Sequence, residues 1–135
     1  MKSVKVSDYM AQRLVTFRPE TSVVEALSEL LDKRISGAPV VDGDGTLVGM
    51  LSEVDLIQVF IQDSYYDENA GIVGDCMHAP VETVAPDMDI YSLAEQFRKA
   101  RRRRYPVVKN GKLVGQISRR DVLRAARDLM SKRSG

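Results

Sequence analysis

The sequence predicts an α/β (α+β) fold made of two similar units, and three observations support this prediction. First, a shift of 67 residues aligns Asp8, Met10, Thr16 and Pro19 with the same residue types at Asp75, Met77, Thr83 and Pro86. Second, each unit combines the apolar spacing of a helix with the turn signal of a β-hairpin. Third, a unit of about 60 residues is too small to bury a good core alone. The two units should therefore pack together with pseudo-twofold symmetry, around a cleft suited to a ligand.

The first unit begins with an extended segment and a helix. The segment Leu14–Phe17 is short and is closed by Pro19. Ser22 is a typical helix N-cap, and Glu25 three residues later completes the capping-box pattern. The apolar residues that follow have the spacing of one buried helix face; they are Val23, Ala26, Leu27, Leu30 and Leu31. A helix packed on the core is therefore predicted from Ser22 onward.

A hairpin and a second helix complete the first unit. The strands Ala38–Val41 and Thr46–Leu51 flank the turn Asp42–Gly45, whose Asp and Gly residues favour a tight reversal. The second helix is predicted from Ser52 to about Ile61.

The second unit repeats the same order of elements. An extended segment is predicted at Val81–Val84, and Asp89 is the N-cap of the next helix. The hairpin strands are Tyr105–Val108 and Leu113–Ile117, and the last helix begins at Ser118. The predicted domain boundaries are thus a first repeat at 4–61, a polar and acidic linker at 62–71, and a second repeat at 72–130.

The net charge of +1 hides an asymmetry between the two halves. Residues 1–73 contain 6 basic and 12 acidic side chains, whereas residues 74–135 contain 14 basic and 7 acidic ones. The halves should attract one another, or the opposite halves of a second copy, in a homodimer. Charges that have simply drifted on a solvated surface are the alternative.

Composition and motifs exclude several classes of protein. The N-terminus lacks the apolar stretch of a signal peptide, no apolar run is long enough to span a membrane, and Cys76 has no partner for a disulfide. We therefore expect a cytoplasmic protein. His78 is interpreted as a surface turn residue and Cys76 as a buried thiol, so no metal site is predicted. No phosphate-binding glycine loop or nucleophile motif is present, and no enzymatic activity is expected.

The strongest functional signal is a Gly-x-x-Ser-x-x-Asp element that occurs once in each unit. It comprises Gly49, Ser52 and Asp55 in the first unit, and Gly115, Ser118 and Asp121 in the second. A glycine permits close approach of a strand, and a helix N-terminus with a hydroxyl group favours phosphate. A carboxylate one turn later can accept both hydroxyls of a ribose. The alternative is purely structural, because Ser-x-x-Asp is also a capping box.

The whole chain, from about residue 4 to 130, resembles a tandem pair of CBS (cystathionine-β-synthase) domains, also called a Bateman module. Besides the two Gly-x-x-Ser-x-x-Asp elements, the resemblance rests on three further pairs of motifs. They are Val6–Met10 with Val73–Met77, Thr16-x-x-Pro19 with Thr83-x-x-Pro86, and Gly37–Val41 with Arg104–Val108. The resemblance implies two β-α-β-β-α repeats that pair through their sheets.

The resemblance also implies a function. Such modules are non-catalytic regulators, usually dimeric, whose clefts bind AMP, ADP, ATP or S-adenosylmethionine and signal to a partner protein. Asp55 and Asp121 would hold the ribose, and the hydroxyls of Ser52 and Ser118 would face phosphate. The adenine would be framed by residues of both repeats: Thr16, Ala38 and Pro39, and Thr83, Tyr105 and Pro106.

The two sites are not expected to be equivalent. Glu53 follows the first serine and would repel phosphate, whereas Arg119 and Arg120 follow the second and would bind it. We therefore predict that the Ser118 site takes the phosphorylated ligand, while the Ser52 site is weaker, binds a neutral ligand or is empty. Tyr105 either packs against a purine or fills the core, and the core is favoured.

The basic run Arg101–Arg104 admits three interpretations. It is a solvated face, a contact to phosphate or to another subunit, or a nucleic-acid contact. Basic charge without aromatic stacking residues is weak evidence for nucleic acid. A ligand-free module that acts on protein or nucleic acid through its basic C-terminal half remains the alternative function.

Overall fold

A computed structural model describes residues 4–66 and 71–134 of the chain. Its Cα positions divide into two compact units. The first-repeat unit is Val15–Val81, and the second-repeat unit combines Met1–Leu14 with Glu82–Gly135. Each unit thus contains the N-terminal segment of the other repeat. The boundaries 4–61 and 72–130 describe the repeats in the sequence and remain a prediction.

The first-repeat unit contains three helices and a two-stranded antiparallel sheet among its described residues. They are α1 (Val23–Lys33), β1 (Gly37–Val41), β2 (Leu47–Ser52), α2 (Glu53–Tyr66) and α3 (Val73–Cys76). The expected N-cap is confirmed, because the Ser22 side chain accepts a hydrogen bond from the Glu25 amide at 3.1 Å. Helix α2 continues beyond its predicted end into the expected linker, of which residues 67–70 lie outside the described part.

The second-repeat unit has the same plan. A 3-10 turn at Val6–Asp8 precedes α4 (Ile90–Lys99), β3 (Arg104–Lys109), β4 (Lys112–Ser118) and α5 (Arg119–Ser134). Asp89 caps α4, as expected, by accepting a hydrogen bond from the Ser92 amide at 3.2 Å. In both hairpins the register shifts at the second valine of the Pro-Val-Val motif.

The two predicted N-terminal strands are shorter than expected. Each is reduced to one bridging residue, Phe17 beside Val40 and Val84 beside Val107, in parallel orientation. The Phe17 amide donates to the Pro39 carbonyl at 3.0 Å, and its carbonyl accepts from Val41 at 2.8 Å. A proline two residues after each bridge fixes the backbone and removes a donor, which is consistent with such short pairing.

Each unit has its own hydrophobic core, formed by one face of its sheet and its helices. The first-repeat core is centred on Leu51 and Val40, which are completely buried, and includes Ala26 and Leu30 of α1. The second-repeat core contains Tyr105 and Ile117 with the corresponding helix residues. The mixed helix and strand fold with one sheet per repeat is therefore confirmed.

The glycine of each repeated motif allows a methionine to pack against the second strand. A Cβ atom at Gly49 would lie 2.6 Å from Met77 Sδ, and one at Gly115 would lie 2.6 Å from Met10 Sδ. The carbonyls of His78 and Ala11 would lie at 3.1 and 2.8 Å from those same two atoms. The close approach predicted for these glycines is therefore made by the chain itself, and it fixes the strand just before each serine.

Candidate functional site

The start of α2 is held by Ser52 and Asp55. The Ser52 amide and hydroxyl donate to Asp55 Oδ2 at 2.8 and 2.9 Å, and the Asp55 amide donates to Ser52 Oγ at 3.3 Å. These reciprocal bonds form a capping box. The Asp55 side chain is 18% exposed. No hydrogen bond to Asp55 Oδ1 is found within residues 4–66 and 71–134, so this oxygen can accept a donor from a ligand.

The start of α5 repeats this arrangement with Ser118 and Asp121. The Ser118 amide and hydroxyl donate to Asp121 Oδ2 at 2.8 and 3.0 Å, and the Asp121 amide donates to Ser118 Oγ at 3.2 Å. The Asp121 side chain is 17% exposed. Ser-x-x-Asp therefore forms a capping box at the starts of both α2 and α5. In each aspartate the other carboxylate oxygen, Oδ1, takes no part in the cap.

His78 contacts the first site, although the sequence indicated only a surface turn residue. Its Nδ1 atom lies 2.9 Å from Asp55 Oδ2. Two backbone hydrogen bonds with Met50, of 2.9 and 3.0 Å, hold His78 against β2. The imidazole is half exposed. The pairing joins residues 23 positions apart, so no local pattern in the sequence indicates it.

Arg124 contacts the carboxylate of the second site. Its Nη2 atom donates to Asp121 Oδ1 at 2.9 Å and to the Tyr9 carbonyl at 3.0 Å. The guanidinium also lies 5.6 Å from the centre of the Tyr9 ring, within the range of a cation–π contact. Asp121 Oδ1 is thus paired with a side chain that is always charged. The residue at the corresponding position of the first repeat is Gln58.

Tyr9 is itself anchored to α5. Its hydroxyl donates to Asp128 Oδ2 at 2.7 Å. This hydrogen bond, with a smaller effect of burial, raises the pKa of the Tyr9 hydroxyl. The phenol therefore stays protonated at neutral pH and keeps its hydrogen bond to Asp128.

A basic cavity of about 510 Å³ opens beside Ser118 and Asp121. Its other lining residues are Arg120, Leu123, Arg124 and Arg127. Residues three and four apart share a helix face, so the spacing of these arginines could have indicated the cluster from sequence. Arg119 was expected here too, but its Nε atom donates to the Arg102 carbonyl at 2.7 Å. The cavity combines a helix N-terminus with several cations, which is suited to an anion.

The residues expected to frame an adenine differ in their exposure. Thr16 and Thr83 are exposed. The four strand residues are buried; they are Ala38, Pro39, Tyr105 and Pro106. The Tyr105 ring lies in the second-repeat core, 4.9 Å from the Phe97 ring between centroids. Its buried hydroxyl has no hydrogen-bond partner among the described residues. The structure thus places Tyr105 in the core, the favoured alternative.

Cys76 lies near the first site and is partly buried. Its thiol donates to the Val73 carbonyl at 3.6 Å. Burial, followed by the negative charges of Asp55 and Asp75, raises its pKa. The protonated thiol is a poor nucleophile, although Cys76 is less buried than expected.

Part of the arginine run supports the start of α5. The Arg103 carbonyl accepts from the Arg119 amide at 3.0 Å, and the Arg102 carbonyl accepts from the Arg119 side chain. The side chains of residues 101–103 are exposed, and Arg102 lies 3.8 Å from Glu82. The backbone carbonyls of the run therefore hold Arg119 at the start of α5, and its exposed side chains form a cationic surface.

An apolar groove of about 630 Å³ lies between α1 and α2 of the first-repeat unit. Its most exposed large side chains are Leu31, Ile57 and Phe60, which are 69%, 57% and 71% exposed. Apolar surface of this kind often marks an interaction site. The corresponding positions of the second repeat are Arg98, Leu123 and Ala126, so the second repeat keeps only one of these three large apolar side chains.

Two features are absent from residues 4–66 and 71–134. No helix there is long and apolar enough to cross a membrane. No group of three or more His, Cys, Asp or Glu side chains there is arranged to hold a metal ion.

Comparison with known proteins identifies the family. The model of the CBS domain matches the chain twice, at residues 6–62 and 73–131. The chain therefore belongs to the CBS domain family, as a tandem pair.

Relatives and solved structures are similar along nearly the whole chain. The chain is 34% identical to the CBS domain-containing protein CBSX1, chloroplastic, of Arabidopsis thaliana, over 96% of its own length and 66% of the relative. It is similar to a crystal structure of CBSX2 in complex with AMP (34% identity, 93% of this chain, 98% of that chain, TM-score 0.81). A putative acetoin utilization protein (AcuB) from Vibrio cholerae has 26% identity and a TM-score of 0.83, covering 98% and 97%. The chain spans about two thirds of the length of the curated plant relatives.

Proposed function

We propose that this chain is a non-catalytic regulatory module that binds an adenosine nucleotide (AMP, ADP or ATP) and signals to a partner protein. The observation that carries the proposal is the repeated Ser–Asp cap at the starts of α2 and α5, with a basic side chain on each carboxylate. The AMP complex of CBSX2, a protein 34% identical over 93% of this chain, supports the ligand class. Signalling requires only that the ligand binds two conformations of the module unequally. The predicted cleft between the repeats remains a prediction.

The phosphate group is assigned to the second-repeat site. Arg120, Arg124 and Arg127 line the cavity beside the N-terminus of α5, and guanidinium groups bind phosphate through paired hydrogen bonds. Glu53 occupies the position of Arg119 at the other site. The Asp55 site is therefore the weaker one for a phosphorylated ligand, and its free Oδ1 atom is suited to a ribose hydroxyl.

The arrangement of the first site favours binding over catalysis. Ser52 donates its hydroxyl to Asp55, and His78 is bonded to Asp55 rather than to Ser52. The serine therefore lacks the imidazole base that activates a nucleophile.

Self-association is part of the proposal. The apolar groove between α1 and α2 supports a homodimer, because pairing two such grooves would remove exposed leucine and phenylalanine side chains from water. Phe60→Glu should then shift the chain from dimer to monomer in analytical ultracentrifugation.

The alternative function is a ligand-free interaction module that acts through its basic half. The exposed arginines at 101–103 favour it. Such a module would bind a protein or nucleic-acid partner whether or not nucleotide is present.

A thermal-shift panel of AMP, ADP, ATP, S-adenosylmethionine, NAD and GTP tests the proposal. A ligand at 100 times its Kd stabilises the folded state by about 2.7 kcal/mol, which raises the Tm by several degrees. We expect shifts with the adenine compounds and none with GTP. Asp121→Ala should reduce this affinity and leave the fold intact, since loss of a cap costs only about 1 kcal/mol. A flat panel would reject the sensor and favour the interaction module.

The cytoplasm is the proposed location. The lone thiol of Cys76 is compatible with a reducing compartment. CBSX1 is described as chloroplastic, so fractionation of the source cells is the appropriate measurement.

A further inference from the structure

The two repeats place different basic side chains on equivalent carboxylates. At Asp121 the side chain is that of Arg124, which comes from the next turn of the same helix. At Asp55 it is that of His78, the single histidine of the chain, which follows α3. An arginine stays charged at any physiological pH, whereas a histidine is charged only when it is protonated. The Asp121 carboxylate therefore always has a cation beside it, and the Asp55 carboxylate has one only when His78 is protonated.

His78 is held in place by backbone rather than by its side chain alone. Its amide and carbonyl are both bonded to Met50 of β2. The absence of a side chain at Gly49 allows this approach, because a Cβ there would lie 3.1 Å from the His78 carbonyl. The backbone of His78 is thus held on β2, from where its imidazole reaches Asp55.

The elements next to His78 in the chain's fold, α2, α3 and β2, carry only acidic or neutral side chains. Helix α2 contributes Asp55, at 2.9 Å, and the exposed Glu53 at its first position. Helix α3 contributes Cys76, whose thiol is protonated, and Asp75, which is exposed. Strand β2 contributes the backbone of Met50. A protonated His78 is thus a cation beside elements whose charged side chains are all acidic.

We propose that His78 is a specificity-determining residue of the Asp55 site, and that it makes binding of an anionic adenosine compound there dependent on pH. The inference rests on the proposed function. Protonation adds a second N–H donor on Nε2 and a positive charge beside the ribose-binding carboxylate. Asp55 Oδ2 already accepts from the Ser52 amide and hydroxyl, so the imidazolium leaves Oδ1 available to the ligand. The site therefore binds a phosphorylated adenosine compound more tightly when His78 is protonated, whereas its affinity for neutral adenosine does not depend on that proton.

The test isolates the Asp55 site in an Asp121→Ala chain. AMP and adenosine are titrated by calorimetry at about pH 6 and about pH 8, with and without His78→Gln, which keeps a donor but cannot be charged. The phosphate of AMP itself changes its charge near pH 6. Because this change is the same with and without His78→Gln, the difference between those two chains removes it. We expect AMP to bind about fivefold more tightly at the lower pH relative to the His78→Gln chain, the size of one partly exposed charge contact. Adenosine should show no pH dependence in either chain.

The other outcomes distinguish failure of this inference from failure of the proposed function. An equal pH dependence of AMP binding with and without His78→Gln overturns the inference and leaves the proposed function standing. Loss of all binding in the Asp121→Ala chain, while the unaltered chain binds AMP, also overturns it, because the Asp55 site then holds no ligand. Failure of the unaltered chain to bind AMP or adenosine at either pH rejects the proposed function itself.

Discussion

Replacing Arg124 by the residue of the other repeat tests the role assigned to the second site. Arg124→Gln introduces the side chain of Gln58 and removes the 2.9 Å ion pair with Asp121, the bond to the Tyr9 carbonyl and the contact with its ring. The arginine is 52% exposed and Asp121 is 17% exposed, so solvent screens the pair partly. We expect a stability loss of about 1 kcal/mol in the absence of ligand.

The magnitude is measurable in a chain of this size. A loss of about 1 kcal/mol lowers the Tm by about 3–5 °C. Arg127→Gln is the matched control, because Arg127 is 73% exposed and its Nε atom is 3.8 Å from Asp128. This control should change the Tm by about 1 °C or less.

The same variant separates phosphate binding from ribose binding. ATP should bind Arg124→Gln about tenfold more weakly, because one charged phosphate contact is lost. Adenosine has no phosphate and should keep its affinity. Calorimetric titration of both ligands measures this difference. Equal Tm values for Arg124→Gln and Arg127→Gln, together with unchanged ATP affinity, would show that Arg124 neither stabilises the fold through Asp121 nor binds phosphate.

Two further predictions concern the packing that supports the site. Gly115→Ala should destabilise the chain by about 1–3 kcal/mol in urea unfolding, since its Cβ would lie 2.6 Å from Met10 Sδ and 2.8 Å from the Ala11 carbonyl. Gly43→Ala, whose Cβ would meet only a flexible arginine end at 3.2 Å, is its control, and equal losses in the two would contradict this packing. Tyr105→Phe should leave stability unchanged or raise it by up to about 1 kcal/mol, because the hydroxyl is buried without a partner. A clear loss in that variant would indicate a bonded hydroxyl.

Features set by neighbouring residues were predictable from the sequence. Ser22 and Asp89 cap their helices as expected, because the N-cap pattern extends over only three residues. The hairpins follow from their turns in the same way. The repeat itself located both Ser–Asp junctions, since each was supported by the other.

Contacts between distant residues were not predictable from local patterns. His78 meets Asp55 only because α3 returns to β2, and Arg124 meets Tyr9 across 115 positions. The extent of the strand predicted at Val81–Val84 was not predictable for a related reason, because its pairing depends on a strand more than twenty residues away. Only one residue of it forms a bridge. Sequence alone therefore located the carboxylates but not the contact between His78 and Asp55.

A crystal structure of the chain soaked with ATP shows most directly whether the two Ser–Asp elements bind the nucleotide. We expect density for the phosphates against Arg120, Arg124 and Arg127, and for a ribose beside Asp121. Phosphates found only beside Ser52 would reverse the assignment of the two sites. Density at neither junction, at an ATP concentration that raises the Tm, would contradict the claim that these Ser–Asp elements bind the nucleotide.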